Sequence, residues 1–189
     1  KLTGIVGISA HNEEIHNPEQ DMKITEELVS PIHQHLFNVR IDWFLDGGKN
    51  KLIETNAERV PIGNKNPHGK QFQAISSHLK KESEAKRNIA PEKSRVWKIT
   101  NPNKKNSVGG ESAYKFLPGY SPVLLSDFDS PTGKRASFAK YNLWATPFEK
   151  GEISGGGRFT VMHQGQGGLD EMTASDRDIS KCDLVTWHT

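Results

Sequence analysis

The feature that most restricts the fold of this chain is its punctuation. Short runs rich in β-branched and aromatic residues are broken by Gly, Pro, Asn and Asp clusters at roughly 10–15-residue intervals, and no window carries an apolar stripe at helical spacing. The clearest run is HQHLFNVRIDWFLDG, residues 33–47. Alternate residues of a strand share a face. His33, His35, Phe37, Val39, Ile41, Trp43 and Leu45 therefore fall together, with Gln34, Asn38, Arg40, Asp42 and Asp46 opposite. The pattern predicts one long strand, a hairpin turn at DGGKN (46–50) and a return strand at KLIETNAERVPI (51–62). Further strands are predicted at 1–9, 71–80, 94–100, 111–119 and 183–189, with an aromatic run at 135–148 ending at Pro147. Residues 10–31, 64–70 and 101–106 read as loops, and KKESEAKRN (80–88) as a solvated charged segment. The expectation is an all-β, antiparallel β-sandwich.

Composition narrows what such a sandwich can do. Hydrophobic residues make up 33% of 189, and mean hydropathy is −0.69, so the chain is polar, yet 4 Trp and 8 Phe are enough to build a core. A formal charge of +2, from 25 Lys and Arg against 23 Asp and Glu, offers no field for nucleic acid or an anionic membrane. No apolar run approaches the ~18–20 residues of a membrane span. The one cysteine, Cys182, forms no intrachain disulfide and no Cys-rich zinc cluster. The first residues, KLTGIVGISA, lack a Met and a signal layout and read as the interior of a longer polypeptide.

The residues most suited to chemistry are His33 and His35. Two imidazoles on one strand face make half of a metal site, and the bland alternative is a pair of hydrogen-bonded surface histidines. Their surroundings favour the metal. HQHLFNVRIDWFLDG, SEAKR (83–87), WKITNPN (97–103), AYKFLPG (113–119), FAKYNLWATPF (138–148), DRDI (176–179) and DLVTWHT (183–189) follow one another in an order that resembles the catalytic domain of the copper-containing, topaquinone-dependent amine oxidases. KLTGI (1–5) resembles the strand after that family's cofactor region.

The resemblance implies that residues 1–189 are part of one such catalytic domain within a longer chain. It implies His33 and His35 as two ligands of Cu(II), with the third histidine just beyond Thr189 and His188 not a ligand. It also implies a peripheral calcium or manganese site built from Asp42 and Asp183 with the carbonyls of Trp43 and Leu184. A second acid often stands two residues after the first, and Phe44 occupies that place here; a hard cation short of a carboxylate is held weakly. Tyr114, Tyr120 and Tyr141 each lack the preceding Asn of the quinone-forming motif, so the cofactor tyrosine and the catalytic Asp are expected upstream and the segment by itself is expected to be inactive. The full protein is expected to be a homodimer that oxidises a primary amine with O₂ to aldehyde, ammonia and hydrogen peroxide. Members occur in extracellular, periplasmic and peroxisomal settings, and the amine is not specified. The alternative is a binding or storage sandwich that kept the fold without the quinone.

Other residues receive plainer readings. His11, His16, His68, His78 and His163 have no family role and read as surface or structural. Trp97, Trp144 and Trp187 read as core, and Cys182 as an inert buried thiol. SGGGRFTVMHQGQGG (154–168) replaces a Gly-Asp-Tyr-Pro-like run of the family; it lacks the ending of a phosphate loop and reads as turns.

Overall fold

A computed structural model describes residues 7–14, 17–159 and 163–189. The predicted strand over 1–9 lies mostly outside the described residues, as do His16 and residues 160–162 of the glycine-rich run. Two compact units divide the chain, one ending at His35 and one covering Leu36–Thr189.

The first unit holds β1 (Ser9–Ala10), β2 (Asp21–Lys23) and β3 (Leu28–Pro31), an antiparallel sheet in the order β1-β3-β2. Sequence reading expects a loop over 10–31, and the structure corrects it. Strands of two to four residues carry too few positions to display an alternating pattern. The ladder closes where the Ile32 N–H donates to the Gln20 carbonyl at 2.8 Å. Residues 32–38 are irregular, so the long strand expected from His33 is shorter and begins at Val39.

The second unit holds β4 (Val39–Trp43), β5 (Lys51–Arg59), β6 (Phe72–Leu79), β7 (Val96–Lys105), β8 (Glu111–Phe116), β9 (Leu143–Pro147) and β10 (Leu184–His188). They form two antiparallel sheets, β4-β10-β9 and β6-β5-β7-β8. Leu52, Leu79, Trp97 and Ile99 of the larger sheet pack with Leu143, Ala145 and Leu184 of the smaller, which makes the sandwich core. The smaller sheet is covered on its other face as well. Trp144, Val185 and Trp187 pack there with Leu169 and Phe138, contributed by the short helix α2 (Leu169–Met172) and the 3₁₀ turn Ser137–Lys140. The predicted core tryptophans are 0%, 0% and 1% exposed at Trp97, Trp144 and Trp187. The longest α-helix, α1 (Pro131–Arg135), has five residues, and no described helix is long and apolar enough to cross a membrane.

Three further expectations are corrected. DGGKN turns the chain but makes no hairpin, because β4 pairs with β10 while β5 pairs with β6 and β7. Asp46 and Gly47 take φ of 51° and 127°, and Asn50 clasps Leu45 through both its N–H and its carbonyl at 3.1 Å. The turn thus hands the chain from one sheet to the other. NPNKKN is not a loop: β7 runs through it to Lys105 with a bulge between Asn101 and Lys105. Pro102 has no N–H to give a ladder, and the Asn101 side chain bonds Leu45 and Asp46 carbonyls instead.

The third correction concerns KKESEAKRN. Glu82 and Ala85 are fully buried. The Arg177 guanidinium reaches the Glu82 carboxylate at 2.7 Å and Glu152 at 2.9 Å, and the Arg177 N–H donates to Glu82 at 2.6 Å. A charged run looks solvated until its counter-ion is known, and that counter-ion comes from residue 177, inside DRDI.

Candidate metal centre

His33 and His35 converge although no strand holds them. Their Nε2 atoms stand 3.1 Å apart, with ring centroids at 4.9 Å and planes crossed at 71°. Both side chains are exposed. The His33 Nδ1 lies 3.0 Å from the Pro31 carbonyl, which only accepts, so Nδ1 carries the proton and Nε2 keeps its lone pair. In this tautomer the His35 Nε2–H donates to it; to offer Nε2 to a metal, His35 would carry its hydrogen on Nδ1. A backbone carbonyl fixing the far nitrogen is the usual support for a ligating imidazole.

The spacing can be tested against coordination chemistry. With metal–nitrogen bonds of about 2.0–2.1 Å, nitrogens 3.1 Å apart subtend roughly 100° at the ion, between the square-planar and tetrahedral angles. The pair therefore fits two adjacent positions of a Cu(II) site by donor type and by separation. Among the described residues no group of three or more His, Cys, Asp or Glu gathers.

His188 is engaged by other partners. Its Nδ1–H donates to the Asn142 carbonyl at 2.8 Å, and its Nε2 lies 3.3 Å from the Ser121 hydroxyl. The ring meets Phe116 edge-on at 5.1 Å, and burial lowers its pKa.

The β4–β10 register sets Trp43 opposite Leu184 and Asp42 opposite Val185, which places Asp42 and Asp183 near one another at the same end of the pair. A competing partner is present at Asp42, whose carboxylate lies 3.6 Å from the Arg40 guanidinium. Phe44 is 79% exposed and offers no oxygen.

Of the remaining candidates, Cys182 is half-buried and its thiol is pushed up to about 12, first by burial and then by the Asp183 charge; it is no nucleophile. His78 is structural, with its Nε2 buried and its pKa lowered chiefly by burial. What sequence reading missed is the Glu82–Arg177–Glu152 cluster and the close packing of the glycine-rich run, where a Cβ at Gly157 would stand 2.7 Å from the Gln166 carbonyl. The only available signal was the number of glycines.

The family model "Copper amine oxidase, enzyme domain" matches residues 1–189. Histamine oxidase of Arthrobacter globiformis is 38% identical over 193 residues, covering 100% of this chain and 27% of that protein. A peroxisomal copper-containing diamine oxidase of Nicotiana tabacum is 31% identical over 193 residues, covering 100% of this chain and 24% of its own length. Among solved structures, a copper-containing benzylamine oxidase from Hansenula polymorpha superposes with a TM-score of 0.86 at 27% identity, covering 98% of this chain and 29% of that one. The chain thus spans under a third of the length of these relatives. With a match from its first residue to its last and the expected sandwich in place, the chain belongs to the copper amine oxidase family.

Proposed function

We propose that these 189 residues form the part of a copper amine oxidase that supplies two imidazoles, His33 and His35, to a catalytic Cu(II). The single observation that carries this is the 3.1 Å approach of two Nε2 atoms, in a chain matched throughout by the family model. In the full polypeptide the reaction is oxidative deamination of a primary amine by O₂, yielding aldehyde, ammonia and hydrogen peroxide. When bound, copper supplies the redox chemistry that converts a precursor tyrosine to topaquinone. The task of this chain is to hold lone pairs in place. The Pro31 carbonyl orients His33, and the crossed ring planes bring both donors to one point. The third histidine, the tyrosine and the Asp base belong to other parts of the polypeptide. A homodimer is proposed for the full protein. Asp42 and Asp183, with the carbonyls of Trp43 and Leu184, are proposed as a peripheral calcium or manganese site of low affinity, since Phe44 removes a carboxylate.

The test is copper content and electron paramagnetic resonance of the full-length polypeptide. Wild type should hold one Cu(II) per chain with nitrogen hyperfine structure. His33→Ala and His35→Ala should each weaken binding by more than about 10-fold, the smallest loss usual even for an outer-shell partner. Unchanged copper affinity in both variants would remove the assignment. A quinone stain by redox cycling in alkaline glycinate separates the oxidase from a binding or storage sandwich, since only the quinoprotein turns nitroblue tetrazolium purple.

A further inference from the structure

A cavity of about 460 Å³ lies within Leu36–Thr189, on the face of the β4-β10-β9 sheet that carries Trp187. Its charged and titratable lining residues are Arg40, Arg135 and His163, and no Asp or Glu lines it. Phe138, half-buried, forms an aromatic wall, and Trp187, 1% exposed, packs against it. The Arg40 guanidinium sits 5.6 Å from the Trp187 ring centre and 5.4 Å from that of Phe148, and its Nε–H donates to the Glu152 carbonyl at 3.1 Å. Its nearest carboxylate, Asp42 at 3.6 Å, is 42% exposed, so water screens that pair. His163 is oriented as a donor: its Nδ1 accepts the Gly165 N–H at 3.0 Å, which leaves the hydrogen of the neutral ring on Nε2.

The glycine-rich run builds the remaining wall. Gly155 stands so close to Asn38 that a Cβ would come within 2.5 Å of its side-chain oxygen. Ser154, Gly155 and Gly156 line the cavity with backbone and a hydroxyl and bring no acid. Cationic donors beside an aromatic wall, in a space of this size, suit a carboxylate carried on a flat apolar body. They repel an ammonium group, so this cavity is not matched to an amine.

We propose that the cavity is a binding site for a small arylcarboxylate, seated against Phe138 with its charge toward Arg40, Arg135 and His163. The proposal does not depend on the copper assignment. It is tested by titrating the full-length polypeptide with benzoate and with the neutral isostere benzamide, by calorimetry. Benzoate should bind at least about tenfold tighter than benzamide and weaken with added salt. Arg135→Gln, at an exposed side chain, should weaken benzoate by a further several-fold, on the order of one charged hydrogen bond.

A second variant guards against a folding artefact. A Cβ at Gly156 would lie 3.8 Å from the Phe138 ring, an ordinary contact, so Gly156→Leu places a side chain among the lining residues without forcing the backbone. It should abolish benzoate binding and leave the urea unfolding midpoint unchanged. The proposal is overturned if wild type does not bind benzoate, if benzamide binds equally well, or if both variants bind benzoate as wild type does.

Discussion

β10 and β6 are both strands of Leu36–Thr189, and they live under opposite conditions. β10 is the central strand of its sheet, paired on both sides, with Leu184, Val185, Thr186 and Trp187 all buried. β6 is an edge, and its first six residues are exposed, including Phe72 at 77% and Ile75 at 38%. The difference teaches where stability resides. Both faces of β10 contribute to packed clusters, and its polar groups are spent internally: the Trp43 and Trp187 indoles donate to Thr186 and Thr146 at 2.8 and 3.2 Å. β6 contributes Leu79 to the core and little else. An open edge with apolar side chains is a surface that proteins ordinarily cover or guard.

The contrast is sharpest in the β10 sheet. Trp144→Ala should lower stability by about 3–5 kcal/mol, since a fully buried indole is lost together with its bond to the Phe138 carbonyl. The urea midpoint measures it, and a change below about 1 kcal/mol would mean that this face is not a packed core. The next effect is at the cluster that ties 82 to 177. Arg177→Met strands the fully buried Glu82 carboxylate and should cost on the order of 3 kcal/mol. The double variant with Glu82→Gln should recover part of that, because the fully buried charge is gone and only the Glu152 carboxylate is left without its guanidinium. Additive losses would show that the pair is not coupled.

A smaller effect separates the sheets by pH. Burial holds the His78 and His188 pKa values below the ordinary imidazole range. Below about pH 6.5 the unfolded chain takes up protons that the folded chain refuses, so their contribution is present above that pH and is lost as pH falls through it. The midpoint should therefore drop between pH 7.5 and 5.5, and His78→Gln should flatten that slope. A midpoint that rises on acidification contradicts both burials. The smallest effect belongs to the edge: Ile75→Thr on β6 should stay within about 0.5 kcal/mol of wild type. A larger loss would place a packing partner over β6.

Legibility in the sequence followed the range of the interactions. The core tryptophans were readable because an indole in a strand-rich chain has few places to go. β5 and β6 were readable because each is a run of eight or nine residues set between turn-rich stretches. Residues 10–31 were not, since β1, β2 and β3 are too short to repeat a pattern. The histidine pair was readable as a motif, but the strand assumed to aim it begins only at Val39, and the rings meet through irregular backbone and a carbonyl instead.

What the amino-acid order determined alone was local: strand and turn chemistry, the His-x-His spacing, the single thiol and the near-zero charge. Those depend on residues within one or two turns of chain. What tertiary structure decided was everything that needed a partner far away: that DGGKN passes the chain between sheets, that Glu82 is buried because Arg177 reaches it, and that the glycine-rich run walls a cationic cavity. Such contacts join residues 95 positions apart at Glu82 and Arg177 and 143 apart at Trp43 and Thr186, and no local pattern encodes which pair will meet.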